Sequence, residues 1–93
     1  RTYYPTVIAT SVDVDIHGMR ADEAREAVER GLDDALQSGT PHVRLIHGKG
    51  TGVLRAVVVE VLTEHAEVHA FETARSAEGG EGVTIATLEA WIS

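Results

Sequence analysis

The sequence predicts a two-layer α/β domain with the element order β-α-β-α-β-β, a single sheet with both helices covering one of its faces. Three observations carry this reading. Val12, Val14 and Ile16 alternate with Asp13, Asp15 and His17; two later segments repeat apolar residues at helical spacing; and glycine-containing turns punctuate the chain where one pattern gives way to the next.

The alternation at residues 12–16 is the period-two signature of a strand with one covered face. From Ala21 the period changes. Ala24, Val28, Leu32 and Leu36 recur every fourth residue, Glu26 and Arg30 form an i,i+4 pair, Gly39 is placed to end the helix and Pro41 forbids its continuation. Residues 42–46 are short, rich in branched side chains and read as a second strand. In the following segment Val57, Val58 and Val59 favour a strand by propensity. Leu54, Val57, Val58, Val61 and Leu62 nevertheless fit i, i+3, i+4, i+7, i+8, and this periodicity decides for a helix. Residues 68–73 and 83–88 read as two more strands, joined by a polar, glycine-containing loop at 75–82 that either closes over a site or only connects a hairpin. Each helix between strands implies a parallel pair with a right-handed crossover. The turns leaving the first two strands therefore emerge at the same sheet edge. Residues 1–11 are expected to be an extended arm or linker, and residues 12–93 the domain itself.

Composition narrows the class. The 93 residues are 43% hydrophobic and lack any apolar run near the roughly 18 residues that span a membrane. One Trp, two Tyr and one Phe leave the core to Val, Ile, Leu and Ala, and the absence of cysteine excludes disulfides and thiolate metal sites. The chain reads as one domain of a longer cytoplasmic, nucleoid-associated protein. Its net charge of −7 runs against nucleic-acid binding, but much of the acidity lies in the first helix, at Asp22, Glu23, Glu26, Glu29, Asp33 and Asp34. Arg44, Lys49 and Arg55, by contrast, fall in a stretch without a carboxylate between His42 and Val59.

The chemistry concentrates in HGKGTG, residues 47–52. Glycines at Gly48, Gly50 and Gly52 let a backbone approach an anion closely, Lys49 adds a cation, and Thr51 is placed to cap the helix whose N-terminus favours negative charge. A phosphate is the expected guest. A tight turn that needs glycines for geometry alone is the competing explanation, and neither GxGxxG nor GxxxxGK[ST] is matched. His47 follows Ile46 as His17 follows Ile16, so two His-Gly turns lie side by side at the carboxyl ends of strands. The pair His47 and His17 could supply acid and base for phosphodiester cleavage, with Asp15 orienting an imidazole or binding a divalent metal, Mg or Mn. Strand parity puts His17 on the open face and His47 with Val43 and Leu45, so joint access requires a turn directly after Ile46. Arg20 is the arginine best placed for phosphate contact.

VDVDIHGMR at 12–20, HGKGTG at 47–52 and GVTI at 82–85, in this order, resemble the Smr (small MutS-related) domain, over roughly residues 13–88. The wording around Lys49 and residues 79–85 is most similar to the carboxy-terminal domain of the second bacterial MutS paralogue, the branch associated with suppression of recombination. The resemblance implies a βαβαββ fold like that of the carboxy-terminal domain of a bacterial translation initiation factor, with strand order 1-2-4-3 and the last strand antiparallel. It also implies nicking endonuclease activity on double-stranded or branched DNA, within a longer MutS-like ATPase chain. The family's functional positions fall on Asp15, His17, His47, Gly48, Lys49 and Gly50. RNA cleavage, or a nucleic-acid- or ribosome-binding module without chemistry of its own, are the alternatives.

Overall fold

Strand β1, Val12–Asp15, opens the computed structural model, which describes residues 11–88; the expected arm lies outside them except for Ser11. Helix α1 (Ala21–Ser38), β2 (His42–Ile46), α2 (Val53–Glu64), β3 (Val68–Thr73) and β4 (Val83–Leu88) follow in the expected βαβαββ order. The sheet order is β1-β2-β4-β3, with β1 parallel to β2 and β4 antiparallel to both its neighbours.

Local chemistry sets the ends of α1. The Glu23 carboxylate accepts the Arg20 backbone N–H at 3.2 Å, and Asp22 and Glu23 place negative charge in the first turn, where the helix dipole favours it. At the other end Gly39 adopts φ 73, and Thr40 N donates to Ala35 O at 2.9 Å, satisfying a carbonyl the helix leaves over. Glu26 and Arg30 do not pair; instead Arg25 reaches across to Glu60 of α2 and ties the two helices together.

The apolar periodicities define the core. Ala24, Val28, Leu32 and Ala35 of α1 and Val58, Val61 and Leu62 of α2 pack with Ile16, Val43, Leu45, Ala86 and Leu88 on one sheet face. Gly31 brings α1 close to β1, for a Cβ there would lie 2.4 Å from Val14 Cγ2. A smaller apolar group, Ala74, Val83, Ile85 and part of Ile46, occupies the other face.

The connection between β3 and β4 is ordered as two short 3-10 turns, Ser76–Glu78 and Gly80–Gly82. It packs on the sheet face opposite the helices. Arg44 Nη2 donates to the Glu78 carbonyl at 2.8 Å, and a Cβ on Gly79 would lie 2.4 Å from Val83 Cγ2. The polar composition of residues 75–82 hides this role because the contacts run through backbone and glycine. Among the described residues no helix is long and apolar enough to cross a membrane.

Candidate functional site

The two His-Gly turns do meet at one edge of the sheet. Ile16 N donates to Ile46 O at 2.9 Å, extending the β1–β2 ladder to the last residue before each histidine. Met19 N then returns to Ile16 O at 3.1 Å, with Gly18 at φ 79 in the third position of the turn, where a type II turn demands glycine. His17, Gly18, His47 and Gly48 line one cleft of about 340 Å³ together with residues 50–55. A Cβ on Gly48 would stand 3.6 Å from His17 Cβ.

The two histidines have different surroundings. His17 is exposed, and its Nδ1 lies 2.5 Å from Asp15 Oδ1, which also accepts the His17 backbone N–H at 3.1 Å. The hydrogen bond to Asp15, reinforced by its charge, raises the His17 pKa; the same side-chain and backbone bonds lower that of Asp15. Asp15 thus orients an imidazole, one of the two roles expected of it. For the other, a metal ligand, the surroundings are poor: among the described residues no three His, Asp or Glu side chains converge where they would hold an ion.

His47, by contrast, is only 5% exposed. It keeps the parity of Val43 and Leu45 and points toward the helix side of β4, where Nε2 lies 2.9 Å from Thr84 Oγ1. Its Nδ1 lies 2.8 Å from the Gly48 carbonyl oxygen. Both ring nitrogens are engaged within the protein. Thr84, 37 residues further on, is the partner that sequence reasoning missed; the only signal for it was its place in the third motif, GVTI.

The glycine loop is fastened from the turn that leads into β4. His47 N and Gly48 N both donate to the Gly82 carbonyl, at 3.0 and 2.9 Å, and a Cβ on Gly82 would lie 3.4 Å from Gly48 Cα. Gly48 takes φ 82, whereas Gly50 does not need positive φ. Beyond it, the N–H groups of Lys49, Gly50 and Thr51 find no acceptor among the described residues. The cap of α2 is Gly52 rather than Thr51, whose hydroxyl accepts only a long bond of 3.4 Å from Val53 N. No acidic residue occupies the first turn of α2, so its positive end is not neutralised.

A second cleft, about 490 Å³, shares Gly48, Gly50, Thr51, Gly52 and Arg55 with the first. Lys49, Thr51, Arg55, Thr73 and Glu81 line it, and Arg55 Nη2 donates to Thr73 Oγ1 at 3.3 Å. Glu81 brings a carboxylate to a loop whose own sequence neighbourhood has none. Arg44 does not face this site: it pairs with Asp13 at 2.8 Å on the sheet's other face. Arg20 lines neither cleft and has Asp22 at 3.6 Å.

A glycine-rich loop and a carboxylate-paired histidine thus stand together at the carboxyl ends of the parallel strands, where α/β domains place their ligands. The Smr domain model matches residues 14–89, and the chain belongs to that family. Endonuclease MutS2 of Symbiobacterium thermophilum is 47% identical over 78 residues, which cover 84% of this chain and 10% of the relative. Endonuclease MutS2 of Clostridium novyi is 44% identical over 82 residues, covering 88% of this chain and 10% of that protein. The chain thus spans about a tenth of the length of these relatives. Among solved structures, the Smr domain of Thermus thermophilus MutS2 superposes with a TM-score of 0.76 at 39% identity, covering 86% of this chain and 98% of that one. YdaL, a stand-alone small MutS-related protein from Escherichia coli, superposes at 0.81 with 28% identity, covering 86% and 68%.

Proposed function

We propose that this domain is a DNA-nicking endonuclease acting on double-stranded or branched DNA, including recombination intermediates, in support of recombination suppression or repair. The observation that carries the reading is the Asp15–His17 pair standing in the same cleft as the glycine loop. The relatives named as endonucleases support it.

In this reading the scissile phosphate sits against the free amides of residues 49–51 and the start of α2, with Lys49 and Arg55 offsetting its charge. Asp15 favours the imidazolium form of His17, whose Nε2–H is the proton donor. A water oxygen bonds to phosphorus and loses its proton to solvent, while the bond to the leaving sugar oxygen breaks and that oxygen takes the His17 proton. His47 works through the loop it orders. Residues of the loop line both clefts, so the nucleotides flanking the cut occupy one each. Arg20, outside both, is assigned to the backbone of the adjoining strand.

The test is parallel cleavage of supercoiled plasmid, branched DNA and structured RNA, with His17→Gln as control. Nicking of DNA by the parent and not the variant supports the proposal. Equal nicking by both removes His17 from the chemistry, and cleavage of RNA alone changes the substrate. A second reading, a nucleic-acid- or ribosome-binding module without chemistry, is favoured by the enclosure of His47, which leaves a single exposed imidazole at the cleft. Binding without strand cleavage on any of these substrates would establish it.

A further inference from the structure

The hydrogen bonds around His47 determine which of its nitrogens carries the proton. A carbonyl oxygen only accepts, so the 2.8 Å contact between Nδ1 and Gly48 O requires a hydrogen on Nδ1. In the neutral ring Nε2 then offers a lone pair, and the hydroxyl of Thr84, 2.9 Å away, rotates to donate into it. The result is a relay: Thr84 O–H to Nε2, and Nδ1–H to the Gly48 carbonyl. Thr84 is 3% exposed and His47 5%, so water does not readily substitute at either end.

The relay has a geometric output. The peptide joining Gly48 to Lys49 is planar and trans, so its C=O and N–H point in opposite directions. Drawing the Gly48 carbonyl toward the imidazole turns the Lys49 N–H away from it, and that N–H has no acceptor among the described residues. The other tautomer would set an Nδ1 lone pair against the carbonyl oxygen and repel it, removing the force that holds this peptide in place. On its other side Gly48 is already fixed, because its N–H and that of His47 share the Gly82 carbonyl.

We infer that Thr84 is a positioning residue for anion binding: by bonding Nε2 it holds the His47 imidazole with its Nδ1–H on the Gly48 carbonyl, and so keeps the Gly48–Lys49 peptide turned with the Lys49 amide toward the ligand. The ligand class is a phosphate or phosphodiester group, and here the inference rests on the reading of residues 47–52 as a phosphate cradle. Thr84 touches no substrate itself.

Two nearly isosteric variants separate the hydroxyl from the volume of the side chain. Thr84→Ser keeps the donor and Thr84→Val keeps the shape. Ring 15N spectra of His47 should show hydrogen on Nδ1 in the parent and in Thr84→Ser, and Thr84→Val should shift the Nδ1 and Nε2 resonances because the ring, released at Nε2, no longer holds the Gly48 carbonyl in place. Titration with inorganic phosphate, followed at the Lys49 and Gly50 amides, should weaken about fivefold in Thr84→Val and match the parent in Thr84→Ser. A parent ring carrying its hydrogen on Nε2 would overturn the inference, even if the valine variant fails to fold. So would a folded Thr84→Val protein with the parent's ring spectrum and phosphate response. Neither readout needs strand cleavage, so a parent that cuts nothing would remove the nuclease proposal and leave this one standing.

Discussion

Asp15 Oδ1 lies 2.5 Å from His17 Nδ1 and also accepts the His17 backbone N–H, so a single carboxylate oxygen fixes both the ring and the turn that carries it. The bond holds His17 above the usual imidazole value of about 6.5. A proton donor works only below its pKa. Cleavage should therefore fall as pH rises through the raised His17 pKa, and Asp15→Asn should move both the NMR titration midpoint of His17 and the alkaline limb of the rate profile to lower pH. Coincident profiles for the two proteins would detach Asp15 from the chemistry.

Replacing His17 tests the chemical step more directly. General acid catalysis contributes about 10²- to 10⁴-fold. His17→Gln should lose that much in cleavage rate while binding DNA with nearly unchanged affinity, because the loop amides and Lys49 remain in place. Single-turnover cleavage and fluorescence anisotropy measure the two quantities separately.

Lys49 is exposed, lines the second cleft and makes no ion pair among the described residues. It should act as a phosphate contact. Lys49→Gln should weaken DNA binding on all sequences alike and lower the slope of log K against log salt by about 1. An unchanged slope would place the phosphate elsewhere.

Gly31 provides a stability test far from the site. Alanine would put its Cβ 2.4 Å from Val14 Cγ2, and overpacking of this kind costs about 1–3 kcal/mol. Better helix propensity returns about 1 kcal/mol. The balance is a net loss of about 1 kcal/mol, so thermal unfolding of Gly31→Ala should shift down by roughly 4–8 °C.

The elements were legible because their signals are local. Val12, Val14 and Ile16 show their face by alternation, Leu54, Val58, Val61 and Leu62 by helical spacing, and Gly39 by its position after the last periodic residue. The juxtaposition of His17 and His47 followed from strand parallelism. What remained hidden is non-local or carried by backbone. Nothing near Thr84 in sequence announces a bond to His47, and the Gly82 carbonyl has no side chain to advertise its two donors. Arg44 seemed to belong with Lys49 by proximity along the chain, yet its place on β2 sends it to the opposite sheet face and to Asp13. Periodicity predicts which way a residue faces; it does not say which distant residue waits there.

Strand β4 comes last in the described chain but occupies an interior place in the sheet, between β2 and β3. It supplies the Thr84 hydroxyl, and the residue just before it the Gly82 carbonyl, that hold the glycine loop. During synthesis, then, the histidines, the lysine and the first three strands all emerge before the segment that organises them. Insertion of this strand closes the longest-range contacts of the domain and belongs to the slow part of folding. A growing or truncated chain ending before residue 82 carries His17, His47 and Lys49 with an unfastened loop, so the cleft takes its final form only once the last strand is in place.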